Sequence, residues 1–237
     1  MSVFTTNPVR SDLAEEQAPD TTTPLTSRSW AVAGVVAAVA GIVSFVTSGM
    51  VDSVYRDDLR DRPDALVAAL GEKVPVILTF HTAAMVAAVA MMVFAAGLHR
   101  RLAARVPGLL APVLAVSGLV GTAVVLVIGS GLDTEYVFGF SRPGLVTPAE
   151  AATFNHWIGT VPWCWVLTGL AGLAVFSAAR AGGVPRWLGR VGLVGGALTL
   201  VAGISPLQYM AGMIAPLWLL VLAVGFVAGD RAFRSGR

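Results

Sequence analysis

Six long stretches of apolar residues, each nearly free of charge, alternate along the chain with short segments that collect the charged residues. Each stretch reaches the roughly 20 residues that a helix needs to cross the hydrocarbon core of a bilayer. Side chains in these stretches do not alternate between apolar and polar, as they would in strands of a membrane β-barrel. The pattern therefore predicts an all-α, polytopic transmembrane helical bundle with six spans, at residues 30–51, 74–98, 109–132, 152–178, 187–204 and 211–228.

Composition points to the same class of protein. Hydrophobic residues make up 56% of the 237 residues and charged residues only 13%, a balance that a soluble globule cannot bury. Residues 1–29 contain too few apolar side chains to pack a core, so we expect a disordered cytoplasmic tail there. Residues 229–237 are expected to form a second, shorter cytoplasmic tail. The first apolar stretch follows a long polar segment and exceeds the length of a signal-peptide core, which predicts a helix that is retained.

The distribution of basic residues predicts the orientation of the bundle. The loops that follow the second and fourth predicted helices are short and rich in arginine, and such loops stay in the cytoplasm. With both termini cytoplasmic, 11 of the 16 basic residues lie inside: Arg10, Arg28, Arg100, Arg101, Arg105, Arg180, Arg186, Arg190, Arg231, Arg234 and Arg237. The other five lie outside: Arg56, Arg60, Arg62, Lys73 and Arg142. We therefore expect a multi-pass plasma-membrane protein whose partner is the lipid bilayer and not nucleic acid.

A short amphipathic helix is predicted in the segment between the first two spans. Pro63 and Asp64 supply helix-start chemistry, and Leu66, Val67 and Leu70 then form one apolar stripe. Such a helix would lie on the outer surface and cap the bundle. A ligand lid is the alternative role for the same segment.

The fourth span begins with a recognisable start signal and contains a proline. Thr147 and Glu150 match the capping-box pattern, with Pro148 at the first helical position. Pro162 lacks a backbone N–H and leaves a carbonyl of the preceding turn without its helical partner. We expect the span to bend there, with a neighbouring helix or a hydroxyl side chain relieving that carbonyl.

The same span is rich in aromatic residues. It includes the run TFNHWIGTVPWCWVL, which holds three tryptophans and the single cysteine of the chain. Trp163 and Trp165 lie too far from the start of the span for an interfacial belt, so they are expected to pack between helices. Cys164 is expected to be a small apolar residue of the interior, because one cysteine can form neither an internal disulfide nor a cysteine-based zinc site.

Glycines recur at close spacings in four of the spans. Small residues let helix backbones approach each other, and this predicts a tightly packed bundle. The pairs are Gly118 and Gly121, Gly169 and Gly172, Gly192 and Gly196, and Gly225 and Gly229.

Two histidines, His81 and His156, are the only ionisable residues predicted in the interior of the spans, away from their charged ends. The structural interpretation makes Asn155 and His156 hydrogen-bonding residues between helices. The functional interpretation makes His81 and His156 a cofactor-binding pair, because two imidazoles at matched depth could supply both axial ligands of a b-type haem or bind a metal. No cofactor is expected under the structural interpretation, which we favour. His99 lies in a basic turn and is expected to be solvated.

An enzymatic interpretation rests on Asp133 and Glu135, two carboxylates in the loop after the third span. Near a histidine, such a pair could carry out acid–base chemistry on a lipid-soluble substrate. Acidic loop residues of this kind are more often solvated, and no hydrolase, metalloprotease or nucleotide-binding motif accompanies them.

Several segments together resemble uncharacterised six-helix integral membrane proteins of high-GC bacteria. The resemblance covers residues 30–230 and rests on the segment DALVAALGEKVP, on the end FAAGLHRRL of the second span, and on the hairpin VPRWLGRVGLVGGALTLVAG followed by APLWLLVLAVGF. It implies a six-helix membrane fold and brings no activity, cofactor or catalytic residue.

The favoured function is a non-enzymatic accessory or small-molecule-handling role in the membrane, with a hydrophobic small molecule or another membrane protein as partner. A haem- or metal-binding redox protein using His81 and His156 is the first alternative. A membrane-embedded enzyme acting on a hydrophobic substrate is the second.

Overall fold

The computed structural model describes residues 28–229, apart from the side chains of Pro162 and Cys164. This part of the chain is helical and contains no strand. Its α-helices are α1 (Ser29–Met50), α2 (Pro63–Glu72), α3 (Val74–Ala103), α4 (Ala111–Gly129), α5 (Asp133–Phe140), α6 (Pro148–Thr160), α7 (Thr168–Arg180), α8 (Arg186–Ile204) and α9 (Met210–Gly229). The tails predicted at residues 1–29 and 229–237 lie, except at their inner edges, outside the described residues, as does the expected burial of the Cys164 side chain.

Six helical segments in this part of the chain are long and apolar enough to cross a membrane, which confirms the predicted number. Four are the single helices α1, α3, α8 and α9. The other two are composite: α4 and α5 together cover Ala111–Phe140, and α6 and α7 cover Pro148–Arg180 with a 3₁₀ segment between them.

The six segments form a closed ring in chain order. Helix α1 packs on α3, α3 on α4, α4 on α7, α7 on α8, α8 on α9, and α9 returns to α1. The 3₁₀ segment Val161–Leu167 contacts α4, α8 and α9 and runs through the middle of this ring. Trp165, which is buried, packs there against Gly41 of α1.

The break in the fourth span follows from Pro162, as the sequence predicted. An α-helix continuing through this position would bond the residue 162 N–H to the carbonyl of Ile158, and proline has no such N–H. The helix α6 instead ends at Thr160, and Ser48 Oγ of α1 donates a hydrogen bond of 3.1 Å to the Ile158 oxygen. The Ile158 oxygen also accepts from the Val161 N–H, so a hydroxyl from a neighbouring helix and a backbone N–H together relieve the carbonyl, and the predicted relief is confirmed.

The capping box of the fourth span is also confirmed. The Thr147 side chain accepts from the Glu150 backbone N–H, and the Glu150 carboxylate accepts from the Thr147 backbone N–H at 2.8 Å. These two bonds satisfy donors that a helix start leaves open. Helix α6 therefore begins at Pro148, a few residues before the predicted span.

We call residues 51–73 the cap segment and the end of the bundle that it covers the cap end. Its helix α2 begins at Pro63, as predicted, and packs on α5 and α6. Leu70 is fully buried, and Leu66 and Val67 pack against the core. The predicted apolar stripe therefore faces the bundle, and the cap segment closes this end of the ring.

Candidate functional site at the cap end

A histidine–carboxylate pair lies at the cap end between α3 and α5. Nδ1 of His81 is 3.2 Å from Oδ2 of Asp133. The Asp133 side chain is fully buried, whereas that of His81 is 27% exposed. Helix α4 ends at Gly129, and the turn Ser130–Leu132 redirects the chain so that Asp133, the first residue of α5, reaches α3.

Two buried oxygens, one of Asp133 itself and one of Ser130 three residues before it in the chain, have no hydrogen-bond partner among residues 28–229. They are Oδ1 of Asp133 and Oγ of Ser130, which is itself 1% exposed. A buried polar atom without a partner costs about 1–3 kcal/mol, and more when it is charged. A bound molecule that donates hydrogen bonds to these oxygens would remove this cost, and its binding would be stabilised accordingly.

The prediction for Asp133 and Glu135 was wrong in its geometry. Both residues belong to helix α5 and not to a loop, and Asp133 is buried while Glu135 is exposed. Residues two apart on a helix lie on nearly opposite faces. The two carboxylates therefore do not act as a pair, and the partner of Asp133 is His81.

The expectation that histidines are the only ionisable residues within the spans was also wrong. Asp133 lies within the apolar segment Ala111–Phe140, and Arg101 is only 2% exposed in α3, which runs five residues beyond the predicted end of its span. His99, expected to be solvated, is half-buried in the same helix, and its Nδ1 donates to the Pro112 carbonyl at 3.1 Å.

His156 and Asn155 connect α6 to the cap segment. Asn155 is buried; its Nδ2 donates to the Val51 carbonyl at 2.8 Å and its Oδ1 accepts from the Val54 N–H at 3.3 Å. His156 is exposed, and its Nδ1 lies 3.2 Å from the hydroxyl of Tyr55. Both residues form hydrogen bonds, as the structural interpretation predicted, but their partners lie in the cap segment and not on another membrane-length helix.

The two histidines thus have different partners on different elements. His81 contacts a carboxylate on α5, and His156 contacts a phenol in the cap segment. Within residues 28–229 no three or more His, Cys, Asp and Glu side chains are grouped so that they could hold a metal ion. Joint ligation of a haem or metal by His81 and His156 stays a prediction.

An aromatic cluster adjoins the site on α5 and α6. The ring of Tyr136 stacks on that of Phe154 with centroids 4.2 Å apart and planes 9° apart, and Phe140 lies against both. This cluster was not predicted from the sequence. The spacing of Asp133, Tyr136 and Phe140, three and then four residues apart, was the signal that could have revealed it.

The exposed charges of the cap segment pair locally. The Arg56 guanidinium donates two hydrogen bonds to Asp58, of 3.1 and 2.7 Å, and these bonds lower the pKa of Asp58 below its ordinary value. Lys73 Nζ lies 3.5 Å from Oδ1 of Asp52. Exposed pairs of this kind contribute little to stability, so they are not the feature that distinguishes the cap end.

A separate groove of about 460 Å³ lies between α1 and α3. Thr79 and Thr82 are its only polar lining residues, and the apolar ones are Ala40, Val43, Leu78, Ala83 and Val86. The lining includes neither His81 nor Asp133, so the groove and the histidine–carboxylate pair are distinct features.

Fold and site together define a class: an all-helical protein with six helical segments long and apolar enough to span a membrane, and with a histidine paired to a buried carboxylate at the capped end. No protein-family model, curated protein or solved structure matches the chain. The resemblance to six-helix membrane proteins of high-GC bacteria stays a prediction.

Proposed function

We propose that the protein is a multi-pass plasma-membrane protein with both termini in the cytoplasm and the cap end outside. The six membrane-length helices support insertion in a bilayer. The excess of arginine in the two short loops after α3 and α7 supports the orientation, because such loops stay in the cytoplasm.

Cysteine labelling tests this topology. In a Cys164→Ser background, an impermeant thiol reagent added to intact cells is expected to label cysteines placed at Asp61 and Thr147, and not those placed at Ala103 and Ala181. The reason is that the first two positions lie at the cap end and the last two near the arginine-rich loops. Labelling at Ala103 in intact cells would contradict the orientation. Labelling of all four positions in lysed cells is the control for reactivity.

The function that we propose is the binding of a small, lipid-soluble molecule at the cap end, with His81 and Asp133 as its polar anchor. One observation carries the proposal: Asp133 is a fully buried carboxylate with one oxygen hydrogen-bonded to His81 and the other without a partner among the described residues. Placing an ionisable residue within an apolar segment costs free energy, and such residues commonly mark functional sites. The cap segment would exclude water from such a site and strengthen its polar interactions.

The same pair supports one alternative. A histidine whose Nδ1 is oriented by a buried carboxylate has the arrangement of a general base, so a membrane-embedded enzyme acting on a hydrophobic substrate is the second candidate. The two candidates differ in the fate of the bound molecule. A binding protein releases it unchanged, whereas an enzyme converts it.

Native mass spectrometry of protein purified in a mild detergent tests the proposal. Wild-type protein is expected to carry a co-purifying small molecule. Asp133→Asn is expected to weaken its binding about 10- to 100-fold, because a hydrogen bond to a charged group contributes about 1.5–3 kcal/mol. Recovery of a chemically altered molecule after incubation with the wild type would favour the enzyme.

Glu135→Gln is the matched control, because it removes an exposed carboxylate two residues away on the same helix. This variant is expected to keep the wild-type complement of bound molecules. Identical spectra for the wild type and Asp133→Asn would contradict the proposal.

A further inference from the structure

The chemistry around Asp133 restricts the kind of group that it can bind. An ionised carboxylate only accepts hydrogen bonds, and a serine hydroxyl can also accept. Oδ1 of Asp133 and Oγ of Ser130 are both buried and have no partner in the described part of the chain. A group that donates two hydrogen bonds could therefore satisfy both atoms.

The electrostatics of the site favour a positive charge on that group. Ser130 directly follows the last residue of α4, and the C-terminal end of this 19-residue helix carries a partial negative charge, which the N-terminus of the shorter α5 at Asp133 offsets only in part. A positive charge bound beside the buried Asp133 carboxylate would stabilise its ionised form, which burial otherwise disfavours. A lone buried charge is costly, and an opposite charge removes most of that cost.

The helix that carries Asp133 also carries an aromatic residue one turn further on. Tyr136 is one helical turn after Asp133 on the same face of α5, and it is backed by the stacked ring of Phe154. Aromatic faces attract cations, and together with a carboxylate they suit an amine better than a bare metal ion. The Asp133 carboxylate, the Ser130 hydroxyl and the neighbouring His81 imidazole together supply fewer ligands than a hard divalent cation takes.

We propose that the cap-end site binds the ammonium group of an amine-bearing, lipid-soluble molecule, with Asp133 Oδ1 and Ser130 Oγ accepting hydrogen bonds from its N–H groups. This inference rests on the proposed binding function and adds the chemical class of the ligand. The apolar body of the molecule would lie among the apolar helices that surround the pair.

A matched series of eight-carbon probes tests the ligand class. The melting temperature of the detergent-solubilised protein is measured with octylammonium, octanol or octanoate. At about ten times its dissociation constant, octylammonium is expected to raise the melting temperature by about 3–6 °C, because a ligand that binds only the folded protein stabilises it. Octanol and octanoate are expected to raise it by less than 1 °C under the same conditions.

Variants assign the effect to the site. Asp133→Asn is expected to abolish the shift with octylammonium, whereas Glu135→Gln is expected to retain it. Ser130→Ala keeps the carboxylate and removes one acceptor, so it is expected to reduce the shift by about half. If Asp133→Asn does not fold, Ser130→Ala alone tests whether the shift depends on this site. A shift that persists unchanged in Ser130→Ala and Asp133→Asn would overturn the proposal.

The outcomes separate this inference from the proposed function. Equal shifts with octylammonium and octanol that both disappear in Asp133→Asn would overturn the amine and leave binding at Asp133 intact. Equal shifts that both survive in Asp133→Asn would contradict binding at this site altogether. An equal, Asp133-dependent shift with sodium chloride alone would replace the amine by an inorganic cation and overturn the proposal.

Protein reconstituted in lipid nanodiscs distinguishes a lipid headgroup from a free amine as the source of the ammonium group. A melting temperature that is higher in phosphatidylethanolamine than in phosphatidylcholine, and only while Asp133 is present, would identify a lipid headgroup as the amine. No difference between the two lipids, together with a shift by octylammonium, would identify a free amine. Both results support an ammonium site. The first does so because phosphatidylethanolamine has N–H groups to donate and phosphatidylcholine has none, and the second because octylammonium itself donates N–H groups.

Discussion

Trp165→Ala is expected to lower the free energy of unfolding by about 3–5 kcal/mol, the range measured for large aromatic residues removed from a packed core. The Trp165 side chain is 1% exposed and lies in the middle of the helical ring, where its indole packs on the backbone of Gly41 and near Pro216. Removing it leaves a cavity between α1, α9 and the 3₁₀ segment. The measurement is thermal unfolding of purified protein in detergent.

Trp163→Ala is the control, because it removes the same ring two positions earlier in the same 3₁₀ segment. Trp163 is 37% exposed, so its replacement leaves no closed cavity and is expected to cost less than about 1 kcal/mol. Trp163 was predicted to pack between helices, and its exposure shows that this prediction was wrong. Equal losses for the two variants would contradict the position of Trp165 at the centre of the ring.

Gly172→Ala is expected to destabilise the protein by about 1–3 kcal/mol, although alanine is the better helix former. Helices α7 and α8 meet backbone to backbone at this point. A Cβ at position 172 would lie 2.5 Å from the carbonyl oxygen of Gly192 and 2.8 Å from Cα of Gly196. Neither backbone atom can move aside as a flexible side chain would, so the two helices must separate. Thermal unfolding and the yield of folded protein measure the effect.

Gly159→Ala is the matched control in a helix. A Cβ at position 159 would meet only the Tyr55 hydroxyl, at 3.9 Å, which is an ordinary contact. This variant is expected to be neutral or slightly stabilising, since alanine lowers the conformational entropy of the unfolded chain. A Gly172→Ala protein as stable as the Gly159→Ala protein would show that α7 and α8 do not meet at these glycines.

Local features of the chain were readable from the sequence because they depend on residues close together. The six apolar segments follow from length and composition, and the start of α6 follows from Thr147 and Glu150. The break at Pro162 follows from its missing N–H, and the sequence also predicted that a hydroxyl or a helix would relieve the carbonyl left behind. Only the structure identified that hydroxyl as Ser48, 110 residues away from Ile158.

The candidate site depended on a contact that no local pattern reveals. His81 was recognised as unusual because it interrupts an apolar span, but its partner Asp133 is 52 residues away and was expected to be solvated. The short turn after α4 and the docking of α5 against α3 decide that Asp133 is buried. An eight-residue helix is too short for its periodicity to predict which face is covered.

What the sequence by itself determined is that six helical segments form that are apolar enough to span a membrane, with most of their ends within about five residues; it did not predict α5, which extends the third of them to Phe140. What only the tertiary structure decided is which side of each helix faces inward. Trp163 and Trp165 illustrate the reason: in a helix that is apolar all round, hydrophobicity does not distinguish a face that packs against other helices from one that does not. Burial there is decided by packing between distant parts of the chain, and so are the contacts of His81 and Asp133.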